Sequence, residues 1–377
     1  MKKNILLTSA LASSLMFLGS NAIAQTKIDG TLAVAQKTSK FDASASKITN
    51  GREAGREAQL NISNSGKTSI AGLNYAAGFA LEFDGASEKA TDGNLSIGNE
   101  NTYVDLIFGD TTLTFGVDHI QNSDRSTAHF VGLNFEDGDV ANTYLLSAVG
   151  ANPKEAMGMG VTQKTPFGTF SALYVPGNGV NGRDDDLDGA LTEAAQGVNS
   201  TLAAAGLNDR SSAYELGFAG NLGVQGLNLH VFQNKEKSSP GSHNFNTGLK
   251  GYNLGASYNF GQFTFGVDRK KSEGSYVATS SSVIGERDKT TSQTSYGIAY
   301  AITPTLTLGA SMAKANTSGL TSTSQTNYVT DEKARSVALG YNLGPVVAEI
   351  QYAKYENAKG VDTADFSTTF AKLSTKF

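Results

Sequence analysis

Residues Ser69–Asp84, with the sequence SIAGLNYAAGFALEFD, alternate between apolar side chains and polar or small ones. The odd-numbered positions include Leu73, Tyr75, Ala77, Phe79, Leu81 and Phe83, and the even-numbered positions include Asn74, Gly78, Glu82 and Asp84; we call each such set a parity. Because successive side chains of a β-strand point to opposite faces, this pattern predicts a strand with one apolar face. That face packs either against a second sheet, as in a soluble sandwich, or against lipid, as in a membrane barrel with a polar interior.

The same two-residue period recurs along most of the chain. It predicts sixteen strands, near residues 26–36, 53–63, 68–84, 100–109, 111–119, 156–165, 168–176, 211–222, 226–235, 248–261, 262–272, 291–303, 305–316, 333–343, 345–357 and 365–377. The chain is thus expected to be all-β.

The connections between these segments alternate between short and long. The short ones, such as Phe108-Gly109-Asp110 and Phe260-Gly261, contain turn-forming residues. The long ones are polar, and only residues 190–205 within them have a helical pattern; they cover residues 84–99, 120–155, 177–210, 273–290 and 317–332. Tight turns at one end and long loops at the other are typical of an up-and-down transmembrane barrel, whereas a sandwich has no reason to sort its loops in this way.

The first residues have the pattern of an export signal. Lys2-Lys3 precede an apolar run over residues 5–18, and Ala22-Ile23-Ala24 forms a small-residue cleavage site. The run is shorter than the roughly 20 residues that a spanning helix needs, so a helix retained in the mature protein is the weaker alternative. We assign residues 1–24 to a signal peptide and residues 25–377 to a single barrel domain.

Composition narrows the function classes. The 377 residues carry a formal net charge of −5, which argues against a nucleic-acid partner. The absence of cysteine excludes disulfides and cysteine-ligated zinc. Forty-two glycines and fourteen tyrosines against six prolines fit many strands joined by turns better than helices.

Three segments resemble the general bacterial porins of the Gram-negative outer membrane. Glu100–Val117 is similar to a family hairpin in which a Val-x-Leu strand turns at Phe-Gly and returns as Thr-Leu-Thr. Ile28–Leu32 resembles the family's first strand, and Phe377, on the parity of Leu373, resembles the signal that the barrel assembly machinery reads. The resemblance implies a sixteen-stranded antiparallel barrel in the outer membrane, forming a homotrimer that passes small hydrophilic solutes by passive diffusion.

The family also implies that one external loop folds into the lumen and narrows it. Residues 120–155 stand in that position here, and their acids match the acidic character of the family's constriction loop: Asp124, Glu136, Asp137, Asp139 and Glu155. The alternatives are a solvated surface loop, or an extra hairpin built from residues 128–135 and 142–149.

Basic side chains of the barrel wall face this loop in the family, and Arg52 and Arg56 are the candidates here. Strict alternation, however, puts Arg56 on the parity of Leu60 and Ile62, which should face lipid. A charge that faces lipid at mid-membrane costs roughly 2–4 kcal/mol. Arg56 must therefore lie near the rim, or a bulge at Gly55 must change the register.

Parity assigns a set of charged residues and one histidine to the lumen: Lys27, Asp29, Glu57, Glu82, Asp105, Asp118, Lys164, Glu215, His230, Asp268, Lys270 and Glu349. Acids outnumber lysines in this set by eight to three. Fixed negative charge in a water-filled pore enriches cations. The sequence therefore predicts weak cation selectivity.

One loop contains the start of a calcium-binding pattern. Asp184, Asp186 and Asp188 offer carboxylates at alternate positions, and Gly189 permits a sharp turn. The closing glutamate of the pattern is missing, so another loop or a neighbouring subunit would have to complete a Ca²⁺ site. The alternative is a solvated acidic loop tip, and a passive channel requires no cofactor.

The four histidines show neither metal-ligand spacing nor a nucleophile motif, so the sequence offers no support for catalysis. Three hypotheses about function remain open: a general diffusion channel, a substrate-specific outer-membrane channel and a secreted β-rich adhesin. Saturable block by its solute would identify the second, and solubility without detergent the third.

Overall fold

The computed structural model describes residues 25–41, 51–86, 96–116, 158–176, 212–236, 247–276, 285–321, 331–357 and 365–377. Sixteen β-strands account for nearly all of them. They are β1 (Gln25–Phe41), β2 (Gly51–Lys67), β3 (Leu73–Ala86), β4 (Ser96–Phe108), β5 (Thr111–Gly116), β6 (Gly158–Thr165), β7 (Gly168–Val175), β8 (Ala213–Gly220), β9 (Leu227–Glu236), β10 (Thr247–Phe260), β11 (Phe263–Tyr276), β12 (Gly285–Ala301), β13 (Leu306–Thr321), β14 (Asp331–Asn342), β15 (Val346–Glu356) and β16 (Phe366–Lys376). Each predicted segment corresponds to one strand, and the predicted fold class is confirmed.

The strands form one closed antiparallel barrel. Each strand pairs with its neighbours in sequence, and β1 pairs with β16, so that the sheet closes on itself. The closing contacts continue past β16: the Gly30 amide donates to the Phe377 carbonyl at 2.9 Å, and the Phe377 amide donates to the Gly30 carbonyl at 3.1 Å. A closed barrel leaves no free sheet edge, which is what a bilayer interior requires.

The two ends of the barrel differ in their connections. We call one end the turn rim, because the short turns at residues 68–72, 109–110, 166–167, 221–226, 261–262, 302–305 and 343–345 lie there. Gly109 and Gly261 adopt positive φ angles of 55° and 60° in two-residue turns, a conformation that glycine adopts without steric cost. The remaining connections join the strands at the opposite end, which we call the loop rim.

The two faces of the sheet have opposite character. On the outward face, Leu254 and Val337 are 50% and 52% exposed, while their inward neighbours Asn253 and Ser336 are 2% and 6% exposed. Apolar side chains outside and polar ones inside suit a barrel surrounded by lipid. The described residues include no helix that is long and apolar enough to cross a membrane.

A β-bulge interrupts the pairing of β3 with β4. Gly78 pairs with Tyr103, but Ala80 pairs with Glu100, so β4 carries one extra residue between these pairs. Asn101 lies in this extra stretch with a φ of 52°, a left-handed conformation that asparagine tolerates better than most residues. The bulge reverses which parity of β4 faces the interior on its loop-rim side.

Candidate functional site

The candidate site is the inward-facing wall of the barrel. Between β8 and β16 this wall is formed mainly by polar and charged side chains that are almost fully buried, among them Glu215, His230, Asn234, Asn253, Asp268, Lys270, Gln293, Ser295, Glu332, Ser336, Gln351, Thr368 and Lys372. Polar groups on the inside of a barrel of sixteen strands indicate an aqueous interior, because a barrel of this size is too wide for side chains alone to fill.

A polar cluster crosses β9, β10 and β11 around Gly255. His230 and Asp268 are both register partners of Gly255, one on each neighbouring strand. The Nε2 atom of His230 lies 2.9 Å from Asn253 Oδ1 and 3.5 Å from Asp268 Oδ1. A Cβ atom on Gly255 would lie 2.3 Å from both Asp268 Oδ1 and His230 Cε1. The missing side chain at Gly255 therefore lets the histidine and the carboxylate meet across the central strand.

A buried ion pair joins β15 to β16. Lys372 Nζ lies 2.7 Å from Glu349 Oε2, and the two side chains are 4% and 8% exposed. The two residues are register partners, so adjacent strands hold the charges opposite each other. Six residues further along the same strands, the rings of Tyr355 and Phe366 stack with centroids 4.7 Å apart. Both contacts join the inward faces of β15 and β16.

The wall formed by β1–β5 is more open. Asn61 Nδ2 donates to Asp29 Oδ1 at 2.9 Å, and Lys27 forms an ion pair with the same carboxylate. Thr114 Oγ1 donates to Asp105 Oδ1 at 2.5 Å. Both carboxylates are only partly buried, so they stand where a permeating ion could approach them.

Metal ligands do not gather within the described part of the chain, where no three or more His, Asp or Glu residues are grouped to hold an ion. Asp184, Asp186 and Asp188, the candidate calcium ligands, lie outside the described residues.

A family model described as Gram-negative porin matches residues 8–365 of the chain. The chain belongs to this family. It is therefore a barrel of the outer membrane, and its fold is one known for passive channels. The predicted resemblance and the predicted location are confirmed. No curated protein matches the sequence.

Solved structures of outer-membrane proteins share the fold of this porin. An anion-selective porin from Comamonas acidovorans is 12% identical with a TM-score of 0.65, and the match covers 94% of this chain and 100% of that one. OmpF of Salmonella typhi, solved with daunomycin, is 8% identical with a TM-score of 0.63 and coverage of 93% and 97%. OmpT of Vibrio cholerae, folded in vitro, is 12% identical with a TM-score of 0.59 and coverage of 94% and 98%. At these identities the similarity shows the fold alone.

The described inward face of the porin carries as many lysines as acids. Its acids are Asp29, Glu82, Asp105, Glu215, Asp268, Glu332 and Glu349, and its lysines are Lys27, Lys37, Lys67, Lys164, Lys270, Lys372 and Lys376. Parity analysis of the sequence missed four of these lysines and Glu332. The signal was present for Lys372, because this residue has the opposite parity to the outward-facing Leu373.

The arginines of β2 need a correction. Within the described residues of β2 the register with β1 is continuous, so no bulge at Gly55 changes it. Arg52 pairs with Thr38 on the same parity as the outward-facing Val34, and it therefore does not line the lumen as the sequence suggested. Position 56 pairs with Val34 in the same register.

Several predicted site residues lie beyond what the structure describes. The side chains of Arg56 and Glu57 are not described, although the backbone of both belongs to β2. Asp118 and the predicted constriction loop, with Asp124, Glu136, Asp137, Asp139 and Glu155, also lie outside the described residues. Glu82 and Asp105 occupy inward-facing positions of β3 and β4.

Proposed function

We propose that this porin is a passive, water-filled diffusion channel for small hydrophilic solutes and ions, without catalytic activity and without a required cofactor. The observation that carries the proposal is the reversal of polarity across the sheet, with apolar residues outside and charged residues inside a closed barrel of sixteen strands. A barrel of this strand number encloses water, and its charged wall hydrates a permeating solute.

Weak cation selectivity is the second part of the proposal. The described acids and lysines of the wall are equal in number, so this part of the proposal rests on the sequence, which assigns Glu57, Asp118 and the acids of residues 120–155 to the lumen. An excess of fixed negative charge enriches cations in the lumen. The Comamonas porin is anion-selective, but selectivity depends on wall charges that a shared fold does not fix.

We further propose that residues 120–155 narrow the lumen through their acidic residues. This part of the proposal rests on the position of the segment in the sequence and on its acidic character. A homotrimer, export through residues 1–24, recognition of Phe377 by the assembly machinery and calcium binding at Asp184, Asp186 and Asp188 remain parts of the proposal that rest on the sequence.

Neutralising two wall acids tests the selectivity. In the variant Glu82→Gln/Asp105→Asn, we expect the permeability ratio of K⁺ over Cl⁻ to fall about twofold for each charge removed, because each carboxylate attracts a cation through aqueous solvent. The reversal potential of the channel in a planar bilayer under a KCl gradient measures this ratio.

The control is Glu273→Gln, which removes the same charge from the outward face of β11. This variant should leave the reversal potential unchanged. A wild-type channel that prefers Cl⁻, or equal shifts in the wall variant and the control, would refute cation selection by the wall.

A further inference from the structure

Outward-facing cations gather near the loop-rim ends of β9–β15. Register with the apolar outward residues assigns Lys235, Lys250, Arg269, Lys271, Lys314, Lys333, Arg335 and Lys354 to this face. The outward acids beside them are Glu273, Asp331 and Glu356. We call these residues the cationic band. Among the described residues of the band, cations exceed acids by eight to three, and the band begins where the apolar rows of the outward face end.

The band places like charges directly opposite each other across neighbouring strands. The register pairs are Lys235 with Lys250, Lys314 with Lys333, and Arg335 with Lys354. Like charges in directly opposed positions destabilise a sheet. A bound anion between two such cations would relieve this repulsion.

A groove on the outward face of β9–β11 lies next to one of these pairs. It has a volume of about 420 Å³, and its lining includes Val231, Tyr252 and Leu254 together with Lys250 and Lys271. The three apolar residues are between 41% and 50% exposed, so a lipid chain can contact them. The groove is therefore apolar toward the turn rim and cationic toward the loop rim.

We propose that this groove binds a membrane lipid with a phosphate-bearing headgroup in the leaflet at the loop rim. The ammonium groups of Lys250 and Lys271 hold the phosphate oxygens, with Lys235 adding charge, and an acyl chain lies over Leu254 and Val231. Charge-assisted hydrogen bonds between ammonium and phosphate are among the stronger polar contacts.

The acid in the groove does not cancel this charge. Glu273 stands opposite Lys250 in the register and forms an ion pair with Lys271. Lys235, Lys250 and Arg269 nevertheless leave the local charge positive, and Arg269 Nη1 donates a hydrogen bond to Thr294 Oγ1 at 3.1 Å. Among the described acids, none forms an ion pair with Lys235 or Lys250. The apolar floor argues for a lipid headgroup over free phosphate, because an inorganic ion gains nothing from Leu254.

The test uses the full-length porin in non-ionic detergent micelles with fluorescently labelled phosphatidic acid, and labelled phosphatidylcholine as the neutral comparison. The wild type should bind phosphatidic acid about tenfold more tightly than phosphatidylcholine, because the lysines attract the anionic headgroup and phosphatidylcholine carries no net charge. The variant Lys250→Gln/Lys271→Gln should lose this preference. Binding is measured by energy transfer or by lipid adducts in native mass spectrometry.

Two further variants make the result specific. Lys27→Gln/Lys164→Gln removes two exposed lysines from strand ends at the turn rim and should bind like the wild type. Leu254→Trp keeps every charge, fills the groove and should also weaken binding of phosphatidic acid.

The proposal is overturned if phosphatidic acid and phosphatidylcholine bind equally, or if the two double-lysine variants behave alike. It is also overturned if inorganic phosphate displaces the lipid while Leu254→Trp has no effect, since the site would then bind a free anion. Conductance is independent of this groove, so the wild type, Lys250→Gln/Lys271→Gln and Leu254→Trp should conduct alike, and a failure of the channel proposal would be recognised separately.

Discussion

Replacing Lys372 with methionine is expected to lower the free energy of unfolding of the barrel by about 3–5 kcal/mol. The substitution removes the ammonium group that lies 2.7 Å from Glu349 Oε2, and it leaves this carboxylate almost fully buried. A buried carboxylate that loses its ammonium partner keeps its desolvation cost with much less compensating attraction. Denaturant unfolding of the refolded porin in lipid–detergent micelles measures the change.

Two companion variants show whether the ion pair causes the loss. Lys376→Met changes an exposed lysine on the same strand and should alter stability by no more than about 0.5 kcal/mol. Lys372→Met/Glu349→Gln removes both charges and should recover part of the lost stability. If Lys372→Met is no less stable than Lys376→Met, the pair does not stabilise the wall.

Substituting alanine for Phe377 is expected to prevent most of the porin from assembling in the outer membrane of cells. In contrast, the stability of barrels refolded in vitro should fall by only about 1 kcal/mol. The ring lies over Gly30, since a Cβ there would be 2.7 Å from Phe377 Cζ, but it is 68% exposed and buries little surface. The backbone bonds to Gly30 do not need the ring. A larger loss in cells than in vitro would therefore indicate that the side chain is recognised during assembly.

Comparing the folded fraction of Phe377→Ala in cells with that in vitro decides whether the ring acts during assembly. Folded barrels resist unfolding by SDS at room temperature, so a gel of unheated membranes and of refolded protein reports the folded fraction in each case. Ile350→Ala, at an exposed outward position of β15, is the control. Equal losses in cells and in vitro would mean that Phe377 acts only by closing the barrel.

The strands could be predicted because the membrane enforces alternation. In β10, Tyr252, Leu254 and Tyr258 face outward and Asn253 and Ser257 face inward, which is the pattern that the sequence displays. A lipid-facing position tolerates few polar side chains, so the outward parity can be recognised one strand at a time. Register then follows from the short turns.

The ends of the strands could not be predicted, because the sequence does not alternate there. β1 continues through Thr38, Ser39 and Lys40, and β12 begins at Gly285, well before the predicted start. At these loop-rim ends both faces carry polar residues, so alternation disappears while backbone pairing continues. The bulge at Asn101 was not foreseen either, because a single extra residue leaves no mark in a one-strand pattern.

The site was predicted less completely than the barrel. Parity was enough to assign His230 and Asp268 to the lumen. Their contact, however, depends on the missing side chain at Gly255, and only the register of three strands shows that Gly255 lies between them. The arginines of β2 were assigned to the wall from family resemblance, although parity placed Arg56 on the lipid side, and the register of Arg52 shows that it also faces outward. Side-chain periodicity was therefore a better guide to the wall than analogy.

Single-channel recording of the full-length porin in a planar lipid bilayer tests the central claim most directly. A passive, water-filled pore predicts discrete conductance steps, a current that is linear in voltage and a conductance that rises with KCl concentration. A homotrimer predicts that each inserted unit closes in three equal steps. Insertion of folded barrels into the bilayer without any conductance would contradict the account.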